Sequence, residues 1–145
     1  MTINGLPAHP LLVHFVVVLI PLTALAALAV TVWPAAQRKL TFLVPLGALV
    51  GLALVPVTVS AGRSLESTLR ITPALQKHAD FGGQVLPWVT ALAVTTVAQY
   101  VVVQRGLGGR AVVLGIGALE VVAAVGALVI VVLTGDSGAH TVWGR

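Results

Sequence analysis

Gly5-Leu6-Pro7-Ala8-His9-Pro10-Leu11-Leu12-Val13-His14-Phe15 leads directly into an apolar run that continues to Trp33. Between Leu11 and Trp33 there is no Asp, Glu, Lys or Arg. Such a run exceeds the roughly 20 residues that cross a hydrocarbon core. Backbone groups in lipid have no water to bond, so a continuous run of this length must be helical. It is too long for the apolar region of a signal peptide, and residues 1–10 contain no Lys or Arg. The stretch is therefore expected to be a retained transmembrane helix, entered past two imidazoles about one and a half helical turns apart.

The rest of the chain repeats this pattern. Runs at 40–60, 83–104 and 111–134 join the one at 11–33, and each reaches spanning length. The 145 residues are 58% hydrophobic and only 8% charged, with a mean hydropathy of +1.06. Soluble proteins carry roughly 25% charged residues, so this chain has too little charge to cover a water-facing surface. The expected fold is all-α: residues 1–145 as one integral membrane four-helix bundle with antiparallel, up-down topology.

Connections sharpen the topology. Pro34-Ala35-Ala36-Gln37-Arg38-Lys39 and Gln104-Arg105-Gly106-Leu107-Gly108-Gly109-Arg110 are short and make helical hairpins of spans 1–2 and 3–4. The segment 61–82 is longer and more polar. Within it Thr72-Pro73 has the pattern of an N-cap followed by proline at the first helical position, so the third long helix should begin near Pro73 with His78 in its second turn. Residues 61–72 fit a short interfacial helix, with Leu65, Leu69 and Ile71 dipping into lipid. Pro21, Pro45, Pro56 and Pro87 are expected to kink their helices, and Trp33, Trp88, Tyr100 and Trp143 to sit at membrane interfaces.

This alternation brings His9, His14, His78 and His140, all the histidines in the chain, to one side, here called the rim. Arg38, Lys39, Arg105 and Arg110 lie opposite, and Arg63, Arg70, Lys77 and Arg145 on the rim. The count is tied, but the opposite loops are short and free of acids, whereas the rim charges mix with Glu66, Asp80 and Asp136. By the positive-inside rule this favours a multi-pass membrane protein with both termini outside the cytoplasm. The basic charge, with pI near 10.8, is explained by topology, and no nucleic-acid partner is implied.

Two constellations carry candidate chemistry. Imidazole is a common ligand of metal ions and haem iron. His14, one turn inside a helix starting at Pro10, and His78 are candidate axial ligands of a b-type haem. A transition metal held with help from His9 or His140 is the alternative. Thr58, Ser60 and Arg63 stand where a haem propionate or other anion could be met. The plain reading is that the histidines bond headgroups, loop carbonyls, Asp80 or Asp136, with no cofactor at all.

The second constellation is Glu120, in the middle of the last span, where a charge is expensive and faces the bundle interior. Gly117, Ala123, Ala124 and Ala127 give it a small-residue face, and Gly47-Ala48-Leu49-Val50-Gly51 offers a matching surface. Glu120 is a candidate proton relay or cation ligand. Its plain reading is a protonated carboxyl bonded to Thr95, Thr96 or Gln99.

The opening motif resembles that of the DUF2231 family of bacterial four-helix membrane proteins, which begin with Pro-x-His-Pro-(apolar)-x-His-Phe. The similarity extends to His78 and to Gly135-Asp136-Ser137-Gly138 with Val142-Trp143. Here Val16 follows Phe15 where the family often has proline, and Asp136 stands where histidine is common. Some relatives join a similar membrane module to a Rieske-type iron–sulfur domain, so the resemblance implies a link to electron transfer. Without cysteine this chain has no thiolates for such a cluster, and any electron partner would be a separate protein. Three functions remain open: a redox-associated haem or metal module, a non-catalytic accessory or scaffold protein, and a small ion or proton transporter using Glu120, which would need a homo-oligomer. No phosphate loop, nucleophile elbow or pair of catalytic carboxylates points to a soluble enzyme.

Overall fold

The structure, a computed structural model, describes residues 2, 3 and 6–143. Gly5 of the opening motif and Arg145 of the rim lie outside the described residues. Thr2–Ile3 (β1) and Leu6–Pro7 (β2) pair antiparallel, with Ile3 opposite Leu6. Helices follow: α1 Ala8–Val32, α2 Pro34–Leu40, α3 Leu43–Glu66, α4 Pro73–Arg105 and α5 Arg110–Trp143. Four of the five are long and apolar enough to cross a membrane, which makes the chain an all-α membrane bundle.

The four long helices form a square in the order α1, α3, α4, α5, each packed on the next and α5 closing back on α1. Helices α1 and α4 face each other across a diagonal and scarcely touch. Helix α1 turns Val16, Ile20, Ala24, Ala27 and Val30 inward, the three- and four-residue steps of one helical face. Val55, Val89, Leu92, Ala124 and Ala127 complete the axis. Larger side chains such as Leu22, Leu25, Leu114, Leu119, Val122 and Val132 point outward, where lipid is as good a neighbour as protein. Packing inside a bilayer gains from close backbone approach rather than from hydrophobicity, so small residues take the inside.

Glycines make those approaches. A Cβ on Gly51 would collide with Ile20, and one on Gly47 would lie 2.6 Å from Thr23 Oγ1. The small-residue stripe of α3 thus receives α1. It does not receive the small face of α5, as the sequence suggested, because the square order makes α3 and α5 diagonal partners. That face is turned to α1 and α4 instead, with Thr31 over Gly117; further round the helix the Trp88 indole stands over Gly126. Trp88 is half-buried there and packs between α4 and α5.

Local chemistry sets the breaks. Trp33 is extended (φ −124°, ψ 108°) because the ring of Pro34 disfavours helical backbone before it. The expected 34–39 loop is a helix, α2, with Pro34 at its first position and Arg38 and Lys39 in its last turn. It stops at Thr41-Phe42 because Pro45 has no N–H for the Thr41 carbonyl and its ring crowds that oxygen. Pro45 therefore sits in the first turn of α3 and separates two helices, while Pro21, Pro56 and Pro87 lie inside theirs.

Helix α4 starts at Pro73, and the Thr72 side chain accepts from Leu75 N at 3.2 Å. It ends at Gly106, whose φ of 61° suits glycine, with Leu107 N bonded to Val102 O at 3.0 Å. No separate helix covers 61–72: α3 runs on to Glu66, a turn carries Ser67 to Leu69, and Leu69 and Ile71 are exposed. Helix α5 continues beyond Thr134 to Trp143, so Gly135–Gly138 and His140 are helical.

Candidate functional site at the rim

His9 occupies the first turn of α1, and steps of seven residues carry it to Val16, Thr23 and Val30, all buried. It therefore faces inward, where its Nδ1 lies 3.0 Å from the carbonyl oxygen of Thr58 on α3. A Cβ on Gly62, one turn beyond Thr58, would come within 2.9 Å of the ring. The glycine is the seat that lets the imidazole reach the α3 backbone.

The arrangement recurs across the bundle. His78 Nδ1 donates to the carbonyl of Thr134 at 3.0 Å and approaches Ser137 Oγ at 3.2 Å, both on α5. Ser137 in turn donates to the same Thr134 carbonyl at 2.9 Å, leaving its oxygen lone pairs for the imidazole. Gly138 is the seat on this side, since a Cβ there would lie 3.1 Å from His78 Cε1. The two rings meet at the axis, with centroids 6.3 Å apart and planes at 74°. They bridge the diagonal that α1 and α4 otherwise leave open.

Both Nδ1 atoms face carbonyl oxygens, which can only accept. In neutral imidazole this puts the ring proton on Nδ1 and leaves the Nε2 lone pair free. Metal-binding histidines use the same device, one ring nitrogen held by a carbonyl so that the other is aimed and basic.

His14 is five residues beyond His9, a rotation of about 140° on the helix. It is exposed and its Nδ1 turns back to the Pro10 carbonyl of its own helix. The ring beside His78 is thus that of His9, and His14 does not join them. His140 is also on the outside, 3.8 Å from Asp136 one turn earlier, with both side chains exposed. Among the described residues no group of three or more His, Cys, Asp or Glu side chains converges. Thr58 donates its hydroxyl to Leu54 O at 2.8 Å, the usual arrangement for threonine in a membrane helix, and Arg63 is exposed.

Glu120 lies elsewhere, among the most buried side chains of the bundle. Thr95 and Thr96 spend their hydroxyls on carbonyls of their own helix, at 2.8 Å to Ala91 O and 2.7 Å to Leu92 O. Glu120 Oε2 has no hydrogen-bond partner among the described residues.

Sequence reasoning named Thr58 and Gly138 on other grounds and missed their part, with Gly62, in seating the imidazoles, although the seven-residue stepping from Val16 back to His9 was there to be read. Four long apolar helices around a paired-imidazole rim define a multi-pass membrane bundle. The family model described as "Predicted membrane protein (DUF2231)" matches residues 5–145, and the chain belongs to that family. No curated protein and no solved structure matches it.

Proposed function

We propose that the protein is a redox-associated module of the bacterial inner membrane, holding a metal centre at its extracytoplasmic rim through His9 and His78. One observation carries the reading: two imidazoles from diagonal helices meet with centroids 6.3 Å apart, each with Nδ1 on a backbone carbonyl. Imidazoles bound to one metal ion at about 2.0–2.1 Å have ring centres roughly 5–6 Å apart, close to the spacing of this pair. Two protein ligands complete the axial set of a b-type haem. A copper-class ion would take the same pair with water or a partner's ligand as a third. Electrons would pass to a separate redox protein in the surrounding membrane or at its outer face.

The test is expression with haem and copper supplied, purification in mild detergent, an absorption spectrum and elemental analysis. The expected result is a Soret band or about one equivalent of metal. It should be lost in His9→Ala and in His78→Ala and retained in His14→Ala. Neither signal in the folded wild-type protein removes the proposal and leaves the imidazoles as cross-helix ties in an accessory protein.

A further inference from the structure

Glu120 and Gln99 belong to a second polar site that the rim does not use. Glu120 is 1% exposed and its Oε2 has no partner among the described residues; Gln99 is 6% exposed and its Oε1 has none either. Both line one cavity of about 10 Å³, together with Gln37, Thr41, Thr96 and Tyr100. That is the room taken by one water-sized occupant. The cavity lies towards the basic loops, since Gln37 is on α2 beside Arg38 and Lys39.

The lining is rich in acceptors. Thr96 gives its proton to Leu92 O, and Thr41 gives its own to the Gln37 carbonyl. Each threonine oxygen thus keeps lone pairs with which to accept, alongside the unpartnered Glu120 Oε2 and Gln99 Oε1. Buried acceptors call for a donor or a positive charge. Hard oxygen ligands favour a hard cation. One carboxylate balances a single positive charge, whereas a divalent ion would leave net charge inside the hydrocarbon region.

We propose that Glu120 and Gln99 coordinate one small monovalent cation of sodium size within the bundle, with Thr96 as a further oxygen ligand. The site is distinct from the imidazole pair and does not depend on metal binding there.

Thermal unfolding of the full chain in detergent tests it, with sodium chloride exchanged for choline chloride at constant ionic strength and pH. The expected result is a saturable rise in Tm with sodium, absent in Glu120→Gln and reduced in Gln99→Leu. Equal Tm values in sodium and choline overturn the site. So does a sodium response that survives Glu120→Gln, and so does a Tm that follows pH but not sodium, which would assign Glu120 a proton alone. Should Glu120→Gln fail to fold, the wild-type titration and Gln99→Leu decide the matter between them.

Discussion

At the scale of single residues, rotation about a helix axis decides which histidine reaches another helix. His9 and His14 stand close in the chain, yet one faces the bundle axis and the other faces out. The seats are as specific as the rings. Gly62→Ala should push His9 off the Thr58 carbonyl, and histidine NMR is expected to show a changed Nδ1 environment there with His78 little altered. Gly126 makes a different demand, because any side chain on it meets the Trp88 indole. Overpacking of this kind costs about 1–3 kcal/mol. Gly126→Leu should lower the unfolding temperature and shift Trp88 fluorescence, while Gly115→Leu, with nothing within 4 Å of its Cβ position, should do neither. The importance of Gly126 could not be read from the sequence, since its partner lies on another helix at a register that only packing sets.

At the scale of elements, hydropathy found the membrane spans and capping chemistry found the start of α4. The Thr72 cap leads to a direct expectation: Thr72→Ala should cost about 1 kcal/mol of stability and Thr72→Ser much less, by thermal or denaturant unfolding. What stayed hidden were the inward faces. Helices α1 and α5 are apolar nearly all round, so an amphipathic stripe cannot mark the core side; small residues mark it instead. The extension of α5 to Trp143 was hidden for a related reason. The apolar run ends at Thr134, but Ser137 and Gly138 pack on His78 from α4, and tertiary contact overrides weak local propensity. Helix α2 was read as a loop because seven residues give too little periodicity to distinguish a short helix from a hairpin connection.

At the scale of the whole molecule, the bundle keeps two polar groupings apart, the His9 and His78 imidazoles at one mouth and Glu120 with Gln99 towards the other. The proposed orientation is open to direct measurement, because the chain has no cysteine to interfere. A membrane-impermeant thiol reagent should label Ile71→Cys in intact cells and spare Lys39→Cys until the membrane is opened. The reverse pattern would turn the rim to the cytoplasm. Helix α4 carries a member of each site, His78 near its start and Gln99 near its end. At about 1.5 Å per residue these stand roughly 30 Å apart. Perturbations separated by more than about 7–10 Å, with no shared partner, add to within about 0.3–0.5 kcal/mol. A double-mutant cycle of His78→Ala with Glu120→Gln should therefore show a coupling energy near zero, making the two ends of this bundle thermodynamic strangers.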